Sequence, residues 1–180
     1  MRTVSDAEAR EWCSTRRFEV DQDFPLRAVS RFDGARRFRL QIPDEATATV
    51  GLAYVLLMSG VREGVEENFD GAVVWFRRWE LWSESIDRVG QLMLEAVRTS
   101  LGNAGPLDEK PALVYSDREF IPAHASLSLP MLFQWDAFYC PHGGQLLAAV
   151  SHHGTIEVLA PSEAYSDLVE RFSQWNPEEV

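Results

Sequence analysis

The chain has few cysteines, one lysine and no long apolar run. Its 180 residues include two cysteines, Cys13 and Cys140, and residues 1–10 hold no apolar signal region. Two thiols without a signal region are typical of a reduced protein, so we expect a cytoplasmic protein without a disulfide framework. The apolar segment 46–61 has no charged side chain, but it is shorter than the roughly 20 apolar residues that span a bilayer. We therefore expect no membrane partner.

Positive charge is scarce as well. Lysine and arginine number 17 against 28 aspartates and glutamates, which gives a formal net charge of -11. Because nucleic-acid-binding proteins usually present a basic surface, this balance argues against nucleic acid as the primary ligand. It favours instead a protein partner with a basic surface.

A group of arginines near the N-terminus interrupts this acidic balance. The group consists of Arg27, Arg31, Arg36, Arg37 and Arg39. Arginines interleaved with aromatic side chains, here Phe32 and Phe38, can bind single-stranded nucleic acid. The rest of the chain would repel phosphates, so we interpret the group as a solvated strand face. We expect this face to meet acidic side chains of the same chain or of a partner.

Histidines and a cysteine concentrate in one segment without forming a metal motif. Cys140, His142, His152 and His153 fall within fourteen positions, and their side chains are of the types that bind zinc. The predicted strand register places His142 and His152 at opposite ends of a strand pair, about 23 Å apart. CxxC and HExxH sequences are absent. We therefore predict no metal and no cofactor.

A hydrolase triad is not predicted either. Asp136 and Ser151 are expected to face each other across two strands, but His152 would then point to the opposite side of the sheet. A Ser-His-Asp triad needs the histidine between the other two side chains. The chain also lacks a GxSxG sequence. We assign no catalytic residue and interpret Asp136 and Ser151 as a buried hydrogen-bonded pair that fixes the register.

The uncharged segment 46–61 is predicted to be a central helix. Pro43, Asp44 and Glu45 precede it, and proline followed by acidic residues favours a helix start. A helix that is apolar on all sides is usually buried in a core or in a subunit interface. We expect this helix to be buried and to end at Gly60, and the sequence leaves a homo-oligomer open.

Helices and strands alternate along the chain in a pattern typical of an α+β fold. Further helices are predicted over 5–16, 83–101 and from 161 or 162 onward. Further strands are predicted over 26–32, 36–42, 72–82 and 113–115. We expect 26–32 and 36–42 to form a hairpin, and 116–130 to be irregular. The expected architecture is a mostly antiparallel sheet with flanking helices, in a single domain over 1–180 whose one candidate boundary is 102–111.

Residues 131–160 are predicted to form a three-stranded antiparallel meander. Gly143-Gly144 and His153-Gly154 are typical of two-residue turns between strands. Glycine favours such turns because it accepts positive φ. Counting outward from the two turns gives the cross-strand pairs Phe138–Ala149 and Val150–Glu157.

The two faces of this meander differ in character, because side chains alternate between faces along a strand. The more apolar face is assigned to the core and contains Asp136, Phe138, Cys140, Leu147, Ala149, Ser151, Ile156 and Val158. The other face carries the candidate interaction surface, which consists of Trp135, Tyr139, His152 and Glu157. Exposed Trp and Tyr side chains are favoured at protein interfaces. In the alternative interpretation, a helix covers this face and the aromatic side chains belong to the core.

Two functions from different classes are consistent with the sequence. The first is a non-enzymatic, acidic protein-interaction module, with an immunity- or antitoxin-like role as one form of it. The second is a small-molecule binding protein or enzyme with a pocket between the meander and the central helix. An exposed aromatic patch rimmed by acidic residues would favour the first, and a deep cavity that holds Asp136, Ser151 or His152 would favour the second.

Overall fold

The structure is a computed structural model that describes residues 1–20, 28–30, 34–60, 69–78, 84–100 and 111–180. Its strands are β1 (Arg2–Val4), β2 (Phe18–Val20), β3 (Ala28–Ser30), β4 (Arg36–Gln41), β5 (Ala72–Arg78), β6 (Ala112–Tyr115), β7 (Asp136–Pro141), β8 (Leu147–Ser151), β9 (Thr155–Ala160) and β10 (Glu178–Glu179). Its helices are α1 (Asp6–Thr15), α2 (Ala46–Met58), α3 (Glu84–Ser100), α4 (Phe120–Leu132) and α5 (Ser162–Arg171). A 3-10 turn, Ser173–Trp175, follows α5.

Eight strands form one antiparallel sheet in the order β1-β6-β5-β7-β8-β9-β4-β10. β2 and β3 pair separately, also antiparallel. This architecture confirms the predicted α+β fold, and β7, β8 and β9 are the predicted C-terminal meander. Residues 102–110 of the candidate domain boundary lie outside the described residues.

The predicted hairpin between 26–32 and 36–42 is wrong. β3 pairs with β2, whereas β4 lies between β9 and β10. The alternating apolar side chains of β4 are buried, so this strand pairs where its apolar side chains reach the core. Residues 21–27 and 31–33 lie outside the described residues, and with them Arg27, Arg31 and Phe32.

Both faces of the sheet are covered. α2, α3, α4 and α5 contribute to a core on one face that includes Tyr139 and Val150. α1 and the β2–β3 pair enclose a second core on the other face, around Trp75 and Phe138. Strands that are buried on both faces carry apolar side chains at consecutive positions, as β7 and β8 do. Neither face of the meander is therefore a free surface at its centre.

The register of the meander is confirmed in its first hairpin and is wrong by one residue in its second. β7 and β8 pair Phe138 with Ala149, as predicted. β8 and β9 pair Val150 with Ile156, where the sequence pattern indicated Glu157. Because side chains alternate along a strand, this slip moves every side chain of β9 to the opposite face.

The slip originates in the turn between β8 and β9. Residues 152–154 form a three-residue loop, not a two-residue turn centred on His153 and Gly154. The Gly154 N–H donates to the Ser151 carbonyl at 3.0 Å, and Gly154 takes a φ of 75°. A type I turn followed by a left-handed glycine is a common three-residue hairpin loop. Glycine suits the last position because a Cβ would strain this backbone conformation.

Four of the five helices were predicted from the sequence. α1 begins with a capping box, in which the Ser5 hydroxyl accepts the Glu8 N–H and the Glu8 carboxylate accepts the Ser5 N–H. α2, α3 and α5 correspond to the helices predicted over 46–61, 83–101 and from 161 or 162. None of the helices in the described ranges is long and apolar enough to cross a bilayer.

α4 was not predicted, because Pro122 and Pro130 interrupt the pattern of its sequence. Pro122 lies in the first turn, where a backbone N–H has no helical partner, and Pro130 lies near the C-terminal end. Ser116 and Glu119 form the turn that leads into this helix. The Ser116 N–H and hydroxyl both donate to the Glu119 carboxylate at 2.9 Å, and Glu119 is the N-cap of α4, without a side-chain cap hydrogen bond.

Candidate functional site

The candidate interaction surface of Trp135, Tyr139, His152 and Glu157 is not assembled on one exposed face. Trp135 and Tyr139 are fully buried. The Tyr139 hydroxyl donates to a carbonyl of α2 at 3.0 Å, and burial raises the pKa of Tyr139 well above its usual value. Glu157 lies on the other face because of the register slip and pairs with Arg37 at 2.9 Å. The alternative interpretation, a face covered by helices, describes the structure.

Trp135 is enclosed by α3 and by the end of α4. Its ring stacks on Phe133 with a centroid distance of 5.3 Å and meets Phe76 edge-on at 6.3 Å. Gly90 of α3 lies so close that a Cβ on it would be 2.5 Å from the Trp135 ring. Glycine at this position lets the backbone of α3 approach the sheet. The contact joins residues far apart in the chain, so no local pattern indicates it.

His152 and Asp136 form a hydrogen-bonded pair that was not predicted. The buried Asp136 carboxylate accepts the backbone N–H of His152 at 2.9 Å and its Nδ1–H at 2.8 Å. The Ser151 hydroxyl accepts the N–H of His153 at 3.2 Å. Asp136 therefore orients the imidazole, as in a hydrolase triad, while Ser151 belongs to the turn. The pair ties the start of β7 to the loop between β8 and β9.

Asp136→Ala is expected to lower the free energy of unfolding by about 1–3 kcal/mol, because it leaves two N–H groups of His152 without their acceptor. Urea denaturation followed by tryptophan fluorescence measures the change. His153→Ala, at the exposed neighbouring position, is the matched control and should change stability by less than about 0.5 kcal/mol. Equal unfolding curves for the two variants would show that the carboxylate does not hold the turn.

Cys140, His142 and His152, three of the side chains considered as zinc ligands, each contact a different partner. The buried Cys140 thiol donates to the Pro141 carbonyl at 3.8 Å, and burial raises the pKa of Cys140 well above its usual value. His142 Nδ1 lies 3.2 Å from the guanidinium of Arg16, and His152 binds the carboxylate described above. Within the described ranges, no three His, Cys, Asp or Glu side chains are grouped as metal ligands. That the protein binds no metal stays a prediction, which elemental analysis of the purified protein tests.

Two cavities border α1. One, of about 750 Å³, is lined by side chains of α1 itself. The other, of about 510 Å³, lies between the end of α1, the β7–β8 loop and the start of α5, and Arg16 and Glu163 line it. Arg16 stacks on the Trp12 ring at 3.8 Å and donates to the His142 carbonyl at 2.9 Å, so its guanidinium is held in place. Neither cavity lies between the meander and α2, where the alternative function places its pocket.

Exposed apolar side chains are concentrated on three helices. Among the described residues, seven large hydrophobic side chains are exposed, and six of these lie on α2, α3 and α4. The six are Tyr54 on α2, Val89, Leu92 and Met93 on α3, and Ile121 and Leu132 on α4. α4 contacts both α2 and α3, so we refer to the three as the helical layer. Its inner side covers the sheet, and its outer side carries most of the exposed apolar surface.

Two helices of this layer carry no Asp, Glu, Lys or Arg at all. The inner side of α2 buries Leu52 and Leu56. Its outer side holds Thr47, Val50, Gly51, Tyr54 and Met58, which are exposed or half-buried. We call the outer surface of α2 and α4 the charge-free face. Its most exposed large side chains are Ile121, at 78%, and Tyr54, at 47%.

Four rings pack together where α2 and α4 meet, at the border of the charge-free face and the core. Phe120 meets Tyr54 and Phe69 edge-on, with centroid distances of 5.6 and 5.8 Å, and stacks on His124 at 6.1 Å. His124 Nε2 lies 2.9 Å from the Val50 carbonyl. The contacts Tyr54–Phe120 and Val50–His124 run in opposite directions along the two helices, so α2 and α4 are antiparallel. The ring of Tyr54 is therefore held by its neighbours although half of it faces solvent.

In the part of α3 whose side chains are described, an arginine is buried and several apolar side chains are exposed. Leu94 and Arg98 are buried, whereas Val89 and Met93 are 53% and 46% exposed. The close contact of Gly90 with Trp135 turns these two side chains outward. Burial lowers the pKa of Arg98. A helix that buries an arginine and exposes apolar side chains departs from the pattern that best stabilises a fold, and such departures mark functional surfaces.

No family model, curated protein or solved structure matches this chain. What the molecule does must therefore be inferred from its own surface. On the described part of that surface, the exposed apolar side chains of the helical layer are the feature that folding alone does not require.

Proposed function

We propose that the protein is an association module that binds another protein surface through the charge-free face. The observation that carries this proposal is the absence of Asp, Glu, Lys and Arg from α2 and α4. Charged residues make up 25% of the chain. At that frequency, two partly exposed helices of 13 residues each would carry about six charged side chains.

The charge-free face also supplies the apolar centre that a protein interface needs. Fully burying one large apolar side chain contributes roughly 1.5–3 kcal/mol. Ile121 is largely exposed, and covering it would gain most of that amount. Tyr54 adds a large ring whose orientation is fixed by neighbouring rings, and such tyrosines are common at the energetic centre of interfaces. A second apolar surface that covers these side chains removes them from water and so stabilises the complex.

The net charge favours a partner with a basic surface. α2 and α4 offer no carboxylate to such a partner. Among the described residues, the exposed acidic side chains Asp44, Glu45 and Asp117 lie just before the two helices. An immunity- or antitoxin-like role that depends on acidic groups would therefore use another part of the surface. The charge-free face favours a partner surface that is itself apolar and uncharged.

Ile121→Arg is expected to abolish association while leaving the fold intact, because it places a charge in an apolar interface at a side chain that is mostly exposed in the free protein. Tagged protein is used to capture partners from a lysate of the source cells. Proteins retained by the wild type should be lost with Ile121→Arg. The melting temperature should change by less than about 2 °C, as for other surface substitutions.

Ser166→Arg provides the matched control for this experiment. Ser166 is exposed on α5, outside the helical layer, and the substitution adds the same charge. It should retain every protein that the wild type retains. If Ile121→Arg and Ser166→Arg retain the same proteins as the wild type, the charge-free face is not a binding surface.

A further inference from the structure

Gly51 lies near the middle of α2 on the charge-free face, at a position where folding does not call for glycine. Glycine is the least favourable residue in a helix interior after proline. A Cβ built on Gly51 has no heavy atom within 4 Å. Gly90, the other glycine in a described helix, differs because a Cβ there would meet the Trp135 ring. α2 therefore carries an open notch in the middle of an uncharged helix.

We propose that α2 of a second copy of this chain crosses α2 at Gly51, so that the charge-free faces of two copies form a symmetric dimer interface. This proposal rests on the proposed function and names its partner. In a two-fold dimer the same patch lies on both sides of the axis, so one glycine supplies two notches. Two facing glycines let the helix backbones approach more closely than larger side chains allow.

Charge permits a second copy as the occupant, because the contact surface itself is uncharged. Each copy has a formal net charge of -11, so two copies repel each other unless they meet through uncharged surface. Glu45 precedes α2 and lies six residues from Gly51. In an antiparallel crossing at Gly51 the two Glu45 residues are about 18 Å apart, which exceeds the screening length of about 8 Å at physiological ionic strength. The two Glu45 side chains therefore do not oppose this contact.

The size of the face sets the strength expected of the dimer. α2 and α4 are each about 20 Å long, and neighbouring helices lie about 10 Å apart. The charge-free face therefore measures about 400 Å² per copy, which is the size of weak, transient interfaces and not of permanent ones. We therefore expect a dimer with a dissociation constant in the micromolar range. Tyr54, one turn from Gly51, is the side chain placed to fill the groove beside the crossing point.

Gly51→Ala tests the proposal, because it should stabilise the monomer and weaken the dimer. Alanine meets nothing in the free chain and is the better helix former, so the melting temperature of the dilute monomer should rise by about 2–4 °C. The added methyl groups separate the two helices at the crossing point, so the dissociation constant should rise at least about tenfold. Sedimentation velocity from about 1 to about 100 μM measures the dimer, and a melt at the lowest concentration measures the monomer.

The controls separate this proposal from the proposed function. Ser166→Ala, an exposed change on α5, should leave the dissociation constant unchanged. A wild type that stays monomeric up to the highest concentration, or a Gly51→Ala variant that dimerises as tightly as the wild type, overturns the proposal. A lower melting temperature for Gly51→Ala also overturns it, since the notch would then be filled within the chain. In each case the capture experiment with Ile121→Arg still decides whether the face binds a different protein.

Discussion

Trp135→Ala is expected to lower the free energy of unfolding by about 3–5 kcal/mol. The Trp135 side chain is fully buried, stacks on Phe133 and fills the space beneath Gly90. Alanine would leave a cavity between α3 and β5. Because Phe76 and Phe133 are themselves packed against the core, the site can collapse only in part, and the cavity adds to the lost burial.

Guanidinium denaturation, with unfolding followed by circular dichroism, measures this loss. Trp175→Ala is the matched control, since Trp175 is only half-buried after α5 and should cost less than half as much. An unchanged unfolding curve for Trp135→Ala would place the ring outside the core. It would also restore Trp135 as part of an interaction surface.

Leu56→Asp is expected to cost more than about 3 kcal/mol and to leave much of the protein unfolded. Leu56 lies on the inner side of α2 and is fully buried among the side chains that face the sheet. A carboxylate at this position would be removed from water next to apolar groups, without a cation or a donor to compensate it.

Thr47→Asp is the control for this substitution on the same helix. Thr47 is exposed in the first turn of α2, where the helix dipole favours a negative charge. Thermal melts followed by circular dichroism should show a large loss for Leu56→Asp and little or no loss for Thr47→Asp. Similar melts for the two variants would mean that α2 does not bury its inner side.

The sequence predicts those parts of the fold that local interactions determine. The spacing of Ser5 and Glu8 marks the start of α1, because both hydrogen bonds of the capping box form within four residues. The recurrence of Tyr165, Leu168, Val169, Phe172 and Trp175 predicts the buried side of the last helix. Tyr165, Leu168 and Phe172 are buried, and Val169 and Trp175 are half-buried. The first hairpin of the meander has the predicted register because counting from its glycines happens to give the right pairs.

The predictions that were wrong concern the strand register and the exposed face, which neighbouring residues alone do not determine. His153-Gly154 is compatible with a two-residue turn and with the last part of a three-residue loop, and these differ by one residue in register. The mixed face of the meander resembles a surface because His152 and Glu157 were assigned to it. The observed register separates Glu157 from Trp135 and Tyr139, and helices cover both rings.

The sequence shows that the segment of α2 in the charge-free face lacks charge, but it does not show that this face is exposed. The absence of charge over 46–61 indicates burial in a core or in a subunit interface, and the sequence cannot show that one side of the helix stays exposed. That depends on α4, whose prolines conceal it, and on how α2 packs against it. On α2, Gly51 and Tyr54 of the outer side alternate with the buried Leu52 and Leu56 at helical spacing. This alternation is the one local sign that the two sides of α2 differ.

β1 and β10 occupy the two outermost positions of the eight-stranded sheet. β1 has three residues and β10 has two, both glutamates, and Glu179 pairs with Arg36 of β4 at 2.6 Å. Short or charged edge strands give an incoming strand little backbone to bond and so limit edge-to-edge aggregation. Both margins of the sheet are thus protected against strand addition. Molecules of this protein can therefore contact one another through helices without adding strand to strand into fibrils.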